Sequence, residues 1–181
     1  MTINLENIYE AIDSKHVSNG ELAGMIYEDK GSLEAAVDGL FDHNMRIRVE
    51  CAKALRILSR NNCPALYPYF NSFAELLDSA KPPLVEEIMY IVANLASVDN
   101  QNKIDALLDV FFEPLEGESL HTTRAAIVGA LRIAAAKPQL AKRIREQLLR
   151  VENGSYTDER ARTLARDAAF DALDKLNAMH L

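Results

Sequence analysis

The chain has 181 residues, of which 49% are hydrophobic, and its 27 acidic and 20 basic side chains give a formal net charge of −7. This length and hydrophobic content are enough for one domain with a sizeable core. The acidic balance argues against nucleic-acid binding through the overall charge, because phosphate neutralisation requires clustered positive charge.

The composition also bears on the cellular compartment. The first residues, MTINLENIYEAID, lack the basic and apolar regions of a signal peptide, and no apolar run approaches the about 20 residues of a membrane span. Two cysteines, Cys51 and Cys63, are interpreted as reduced thiols that behave as small hydrophobic side chains. We therefore expect a cytoplasmic protein without membrane association.

The spacing of apolar residues predicts helices throughout the chain. Intervals of three and four residues recur, and alternation with a period of two does not persist. Residues 3 to 29 are expected to form one or two short helices, with Ser18 and Glu21 in the spacing of a capping box. The first helices of the later helix pairs are predicted at Leu33-Phe41, Leu66-Leu77, Ile104-Phe112 and Leu140-Leu149.

Several residues indicate where these helices begin and end. Ser32 is expected to cap the helix that follows it, and Pro114 is expected to end another. Asn153-Gly154 is expected to stop a third helix, because glycine adopts the left-handed conformation of a helix C-terminus at little cost. Three prolines are expected in first helical turns, where no N–H is needed. They are Pro64, Pro83 and Pro138.

A repeated tetrapeptide indicates the architecture. Ala-Leu-Arg-Ile occurs at residues 54–57 and again at 130–133, with an arginine seven residues before each leucine. Equivalent leucines are found at separations of 40, 36 and 42 residues: Leu55, Leu95, Leu131 and Leu173. A period near 40 residues with two helices per unit is typical of an α-solenoid. The leucine is expected to fill a shared core, and the small residue before it to allow close helix approach.

The first of these units resembles the second helix of a HEAT repeat. The matching residues are Asp42, Ile47-Arg48, Cys51-Ala52 and Ala54-Leu55 in the first unit, Glu118, Arg124, Ala130 and Leu131 in the third, and Arg166 and Ala172-Leu173 in the fourth. The second unit is degenerate. We interpret the arginines as structural, with Asp42 and Glu118 as candidate partners of Arg48 and Arg124.

The resemblance implies an all-α fold, an α-α superhelix of about four HEAT-like helix pairs with an N-terminal helical cap. The expected boundaries are 1–30 for the cap and 31–62, 63–100, 101–137 and 138–178 for the repeats. Such stacked pairs most often serve as protein-binding surfaces.

Patterns for catalysis and metal binding do not stand out. The four histidines, His16, His43, His121 and His180, form none of the His-Glu pairs that HEAT-containing metal hydroxylases use for iron. The segment 99–105 lacks the glycine and the terminal glutamate of a calcium loop, so we favour helix capping by Asp99 or Asn100. No nucleophile elbow or phosphate-binding glycine loop occurs. We expect no enzyme activity, no cofactor and no metal.

The stretch CPALYPYFNSF concentrates aromatic residues. Phe70, Phe73 and Leu77 follow helical spacing and are predicted to belong to the core. Tyr67 and Tyr69 are expected to keep their hydroxyl groups at the surface as contact residues.

The second helices are expected to line a concave groove, and their solvent-facing positions follow a spacing of i, i+4, i+7 and i+11. The positions are Val49, Lys53, Arg56 and Arg60, then Met89, Ala93, Ala96 and Asn100, then Ala125, Gly129, Arg132 and Ala136, then Asp167, Asp171, Asp174 and Ala178. The predicted partner-binding residues among them are Lys53, Arg56, Arg60, Met89, Arg132, Asp171 and Asp174.

This groove is predicted to be basic at one end and acidic at the other, and to hold a helix or an extended peptide of a partner protein. The alternative is that the alanines and Gly129 only let neighbouring helices pack closely. We therefore favour a non-catalytic scaffold or adaptor that binds protein or peptide and no nucleic acid.

Two other classes share the solenoid. HEAT-like alkylpurine DNA glycosylases require a basic concave face, aromatics and a catalytic acid, whereas this chain has no tryptophan and an acidic fourth unit. Phycobilin lyase subunits of the HEAT type share only loose repeat similarity with it.

Overall fold

The computed structural model describes residues 5–13, 17–61, 63–79 and 81–179, so His16 and His180 lie outside the described residues. Within these ranges the chain forms α-helices and short 3-10 helices and contains no strand, which confirms the all-α prediction. None of the described helices has the length and apolar character needed to cross a bilayer. The helices are α1 (Leu5–Asp13), α2 (Asn19–Glu28), α3 (Lys30–Asp38), α4 (Met45–Asn61), α5 (Cys63–Leu66), α6 (Phe70–Ser79), α7 (Pro82–Leu95), α8 (Lys103–Phe112), α9 (Leu120–Ala136), α10 (Ala141–Leu148) and α11 (Glu159–Ala178).

The helices form two layers. In the first layer, which we call the helix ladder, α2 packs on α4, α4 on α7, α7 on α9 and α9 on α11. In the second layer, α3 packs behind α4 and α6 behind α7, while α8 contacts α6 and α10. Stacked helices in two layers are the arrangement of an α-α superhelix, in which each unit buries its apolar side against its neighbours.

Helix starts follow the sequence in one case and depart from it in another. The capping box is confirmed, because Ser18 Oγ accepts a hydrogen bond from the Glu21 N–H at 3.2 Å and the Ser18 N–H donates to the Glu21 carboxylate at 2.8 Å. The prediction for Ser32 is wrong. Asp29 caps α3 by accepting from the Ser32 N–H at 2.9 Å, and Ser32 is buried within the first turn. Because aspartate is as good a cap as serine, the helix begins earlier.

Helix ends show a similar contrast. The prediction for Pro114 is confirmed, since α8 ends at Phe112 and the proline lies in the 3-10 helix Glu113–Glu116. The prediction of a left-handed Gly154 is wrong, because its φ is −61°. Glycine is needed there for space instead: a Cβ atom would lie 2.2 Å from Cε2 of Tyr156.

The aligned leucines are not equally buried. Leu55 and Leu95 are fully buried, whereas Leu131 and Leu173 are only half-buried at the edge of the core. The alanines before three of the leucines are all buried: Ala54, Ala130 and Ala172. The prediction that every leucine fills the core is therefore wrong, and the small residue is the more regular feature. A methyl side chain lets two helix backbones approach, and this sets the position of the neighbouring helix.

The arginines seven residues before the leucines have different roles. Arg48 Nε donates to the carbonyl oxygen of Leu40 at 2.7 Å, so its partner is the backbone and not Asp42. Arg166 Nε donates to Glu152 at 3.1 Å. Arg124 is exposed and, among the described residues, forms no ion pair with Glu118. The structural interpretation thus fits Arg48 and Arg166, which hold the segment before their helix.

Asp99 begins α8 and also joins two units through a buried polar network. Its carboxylate accepts from the N–H groups of Lys103 and Ile104, which confirms the predicted capping, and Nζ of Lys137 lies 3.0 Å away. The Tyr67 hydroxyl donates to it at 2.6 Å, so the prediction of a surface hydroxyl for Tyr67 is wrong. Burial alone would raise the pKa of Asp99, but the hydrogen bonds from Tyr67, Ile104 and Lys137 more than offset it and lower the pKa.

The rest of the aromatic stretch divides between core and surface. Phe70 and Phe73 are buried, as predicted, and Leu77 is half-buried against the core. The Tyr69 hydroxyl lies 3.5 Å from Glu34 in a half-exposed position. The aromatic rings therefore pack the second layer against the helix ladder.

We expect Gly129→Ala to lower the free energy of unfolding by about 1–3 kcal/mol, as overpacking does. A Cβ atom at Gly129 would lie 2.5 Å from Cζ of Phe111 and 3.3 Å from Cβ of Ala93. The matched control is Gly24→Ala, also within a helix, where nothing lies within 4 Å of the added atom. The control is expected to be neutral or to stabilise by about 0.5–1 kcal/mol. Denaturant unfolding measures both, and equal effects would contradict close packing at Gly129.

We expect Asp99→Asn to cost about 3 kcal/mol at neutral pH, because the buried ammonium group of Lys137 loses the nearer of its two carboxylates and keeps only Asp105, at 3.5 Å. Since the folded-state pKa of Asp99 is lowered, its contribution is present above the unfolded value near pH 4 and is lost as pH falls through the folded value. Unfolding curves of wild type and variant should therefore converge in acid. The control is Asp109→Asn at the exposed pair with Arg143, expected to cost less than about 1 kcal/mol. A pH-independent difference for Asp99→Asn would refute this account.

Candidate partner-binding groove

The exposed face of the helix ladder is the surface on which the sequence placed a binding site. On α4, Lys53 and Arg56 are half-buried and Arg60 is exposed, so these three predicted residues reach the surface. Lys53 Nζ donates to Glu50 at 2.7 Å. This helix therefore presents the positive side chains that the spacing predicted.

On α7 the prediction chose the wrong side of the helix. Met89 is fully buried, and Ala93 and Ala96 are 2% and 3% exposed. The accessible side carries Glu86, Tyr90, Asn94 and Ser97. Successive residues on a helix differ by about 100°, so a one-residue error in phase is enough to place three of the four predicted positions in the core. Met89 is thus a core residue and not a partner-binding residue.

On α9 the small residues are also buried. Ala125 and Gly129 face the neighbouring helices, while Arg124, Val128 and Arg132 reach the surface. The alternative interpretation, that the alanines and Gly129 serve close helix packing, is the one that the structure supports. The short side chains were predicted to leave room for a partner, but the adjacent helix already occupies that room.

The acidic residues Asp171 and Asp174 are exposed on α11. Asp171 pairs with Lys175 Nζ at 2.5 Å, one helical turn away. Neither residue lines the cavity described next, which is formed by the helices that precede α11 in the ladder.

A cavity of about 440 Å³ opens where the C-terminal halves of α4, α7 and α9 meet. We call it the ladder groove. Its lining consists of Ser59, Arg60, Cys63, Ala93, Asn94, Ser97, Arg132, Ala135 and Ala136. Small and polar side chains therefore surround an opening that has an arginine from α4 and an arginine from α9.

A charged pair and a tyrosine lie beside the ladder groove, outside its lining, and contact it through Arg132. Arg56 Nη1 donates to both carboxylate oxygens of Glu87, at 3.2 and 3.0 Å. Cζ of Arg56 lies 4.7 Å from the centre of the Tyr90 ring, and Cζ of Arg132 lies 5.7 Å from it. Guanidinium groups stack favourably on aromatic faces, so Tyr90 holds both arginines in place. Burial raises the pKa of Glu87, and the charge of Arg56 offsets part of this rise.

A chain of hydrogen bonds orients the polar lining. Arg132 Nη1 donates to Oδ1 of Asn94 at 2.8 Å, and Asn94 Nδ2 donates to Oγ of Ser59 at 2.7 Å. The Cys63 thiol donates to the Ser59 carbonyl oxygen. These bonds link α4, α7 and α9, so the side chains at the groove are oriented before any partner arrives.

Only some of the positive side chains at the groove are paired with a carboxylate. Arg56 is paired with Glu87 and Lys53 with Glu50, whereas Arg60 and Arg132 form no ion pair within the part of the chain that the structure describes. Burial lowers the pKa of Arg132, and the nearby charges of Arg60 and Arg56 lower it further. Two guanidinium groups thus share one opening without a carboxylate between them.

The described residues offer no metal site, since no three His, Cys, Asp or Glu side chains among them lie together as ligands. His43 and His121 are both exposed. Cys51 is fully buried, and its burial raises the pKa of the thiol to about 12. At neutral pH this thiol is protonated and acts as a small hydrophobic side chain, as the sequence predicted.

Sequence reasoning missed Glu87, Tyr90 and Asn94. A signal for Asn94 was present, because it stands where the other units have alanine before the aligned leucine. That departure made the second unit look degenerate, although it supplies the amide that binds Arg132.

Comparison with known proteins gives the fold. No protein-family model and no curated protein matches the chain. A computationally designed armadillo repeat protein for modular peptide recognition aligns with a TM-score of 0.63 and 17% identity, over 93% of this chain and 74% of the other. A designed armadillo repeat protein in complex with the peptide (KR)4 aligns with a TM-score of 0.65 and 20% identity, with the same coverage. The chain is an armadillo-like repeat solenoid.

We expect Arg56→Met to raise the pKa of Glu87 further, because the carboxylate stays buried and loses the charge that favours its ionised form. As pH rises through this higher pKa, the variant should lose stability relative to wild type. A carboxyl NMR titration measures the shift. In the control Arg162→Met, on α11, the pKa of Glu87 should not change. An unchanged or lower pKa in Arg56→Met would contradict the role given to this pair.

Proposed function

We propose that this protein is a non-catalytic cytoplasmic scaffold, with an N-terminal cap at 1–30 and HEAT-type repeats over 31–178, that binds a peptide or helix of a partner protein at the ladder groove. The observation that carries the proposal is the groove itself. Asn94 and Arg132 line it with side chains that hydrogen bonds already orient, while Arg60 projects beside them without an ion pair among the described residues.

The solved structures of similar fold support this function. One of the designed armadillo repeat proteins was made for modular peptide recognition, and the other was solved with a bound peptide. An elongated surface built from stacked helices suits an extended ligand, because successive units repeat similar positions along it. In this chain the arginines and the asparagine that line the groove belong to α4, α7 and α9.

The lining of the groove favours binding over catalysis. It contains neither histidine nor a carboxylate, and its cysteine thiol donates to a backbone carbonyl oxygen. An alkylpurine glycosylase needs a catalytic acid beside aromatic residues, whereas the acid beside this groove, Glu87, is paired with Arg56 at 3.0 Å. The polar groups of the lining are instead hydrogen-bond donors and acceptors of the kind that fix a peptide in register.

We expect peptides selected by display against the folded protein to bind at least tenfold more weakly to Tyr90→Ala than to wild type. Removing the ring releases Arg132, which lines the groove, and Arg56 beside it, and the loss of an interface hot spot costs about 2 kcal/mol or more. The matched control is Tyr27→Ala on α2, where the tyrosine is 64% exposed and lies outside the ladder groove. Fluorescence anisotropy with labelled peptides gives the dissociation constants.

Two further measurements make the result specific. Circular dichroism and thermal unfolding must show that both variants remain folded. Chemical-shift changes on peptide addition should lie in α4, α7 and α9. Peptides that bind both variants as tightly as wild type, or that shift only the second layer, would reject the ladder groove as the binding site.

A further inference from the structure

We infer that the segment bound at the ladder groove is an acidic peptide whose aspartate or glutamate side chains pair with Arg60 and Arg132. The inference rests on the proposed function and adds the chemistry of the ligand to it. It starts from the charge that remains at the groove after internal pairing.

The local charge is positive although the whole chain is acidic. The two carboxylates beside the basic side chains already form ion pairs, Glu50 with Lys53 and Glu87 with Arg56. Arg132 has a neutral amide as its acceptor, and Arg60 is exposed at the same cavity. A carboxylate placed between the two guanidinium groups would receive charge-assisted hydrogen bonds and would relieve their mutual repulsion.

The geometry of the two arginines favours a carboxylate ligand over a cationic one. Arg132 keeps its position through Asn94 and the Tyr90 ring, so little side-chain freedom is lost when it binds a ligand. The guanidinium group presents a fixed fork of donors that matches a carboxylate. A lysine- or arginine-rich peptide, such as the (KR)4 peptide of the similar designed protein, would be repelled by the same charges.

A nucleic acid is a weaker match than an acidic peptide. Its affinity comes from many phosphate contacts along a continuous basic surface. Here the free positive charge at the groove is confined to two side chains, and Glu86 lies half-buried on the same face of α7.

The test measures the binding of three labelled peptides of equal length to the full chain: an Asp-Glu repeat, an Asn-Gln repeat and the (KR)4 peptide. The Asp-Glu peptide should bind at least about tenfold more tightly than the Asn-Gln peptide, and added salt should reduce that advantage. Arg60→Gln and Arg132→Gln should each weaken the Asp-Glu peptide about tenfold and leave the Asn-Gln peptide unchanged.

The matched control is Lys142→Gln, which makes the same change in net charge at an exposed site on α10 in the second layer. It should change binding of the Asp-Glu peptide by less than about twofold. Arg60 is exposed, so its variant folds independently of any role at the groove, and thermal unfolding verifies this for all three variants.

The outcomes separate the inference from the proposed function. If the Asn-Gln or the (KR)4 peptide binds as tightly as the Asp-Glu peptide and depends on Tyr90, the groove binds peptides but the acidic preference is wrong. If the display-selected peptides bind Tyr90→Ala as tightly as wild type, the proposed function itself is wrong. Single-stranded DNA or a phosphoserine peptide that binds more tightly than the Asp-Glu peptide, with the same dependence on Arg60 and Arg132, would overturn the inference by naming phosphate as the ligand.

Discussion

Close approach of the ladder helices at small residues is the constraint on which the rest of this structure depends. Ala93 and Gly129 face each other between α7 and α9, with the Phe111 ring behind them. No unit buries its apolar side alone, so the spacing between units decides how well the shared core is filled. Because the helix backbones come together along this line, larger side chains are displaced to its edges. The ladder groove is bounded by those larger polar residues, Arg60 and Arg132.

Much of the fold follows from the sequence, because helical spacing and a period near 40 residues are properties of local chemistry and stacking. The basic residues of α4 were also predicted, since the spacing of Lys53, Arg56 and Arg60 puts them on one face of the helix whichever helix packs beside it. The solvent-facing side of α7 could not be predicted in that way. Its positions are nearly all apolar, so the spacing does not show which side meets solvent. Tyr90 and Asn94 are recognisable only once α4 and α9 are seen on either side.

Polar contacts between neighbouring units add a second level of organisation. They are Arg56 with Glu87, Arg132 with Asn94, and Lys137 with Asp99. A buried ion pair is weak evidence for added stability, because removing the two charges from water costs about as much as their attraction returns. Such contacts instead fix the position of one helix against the next, since a one-turn slip leaves buried charges unpaired. Apolar stacking alone permits more than one position along the helix axis.

These same contacts determine which charges remain for a ligand. On this surface a cation is paired within its own helix, as Lys53 is with Glu50, paired with the next unit, as Arg56 is with Glu87, or left without a carboxylate. Glu87 forms an ion pair with Arg56 and compensates its charge. Arg132 instead donates to the amide oxygen of Asn94, which orients the guanidinium group without compensating its charge. Asn94 therefore acts as a positioning residue. A glutamate at this position would pair with Arg132 and cancel half of the positive charge, so the proposed preference for acidic ligands depends on the identity of residue 94.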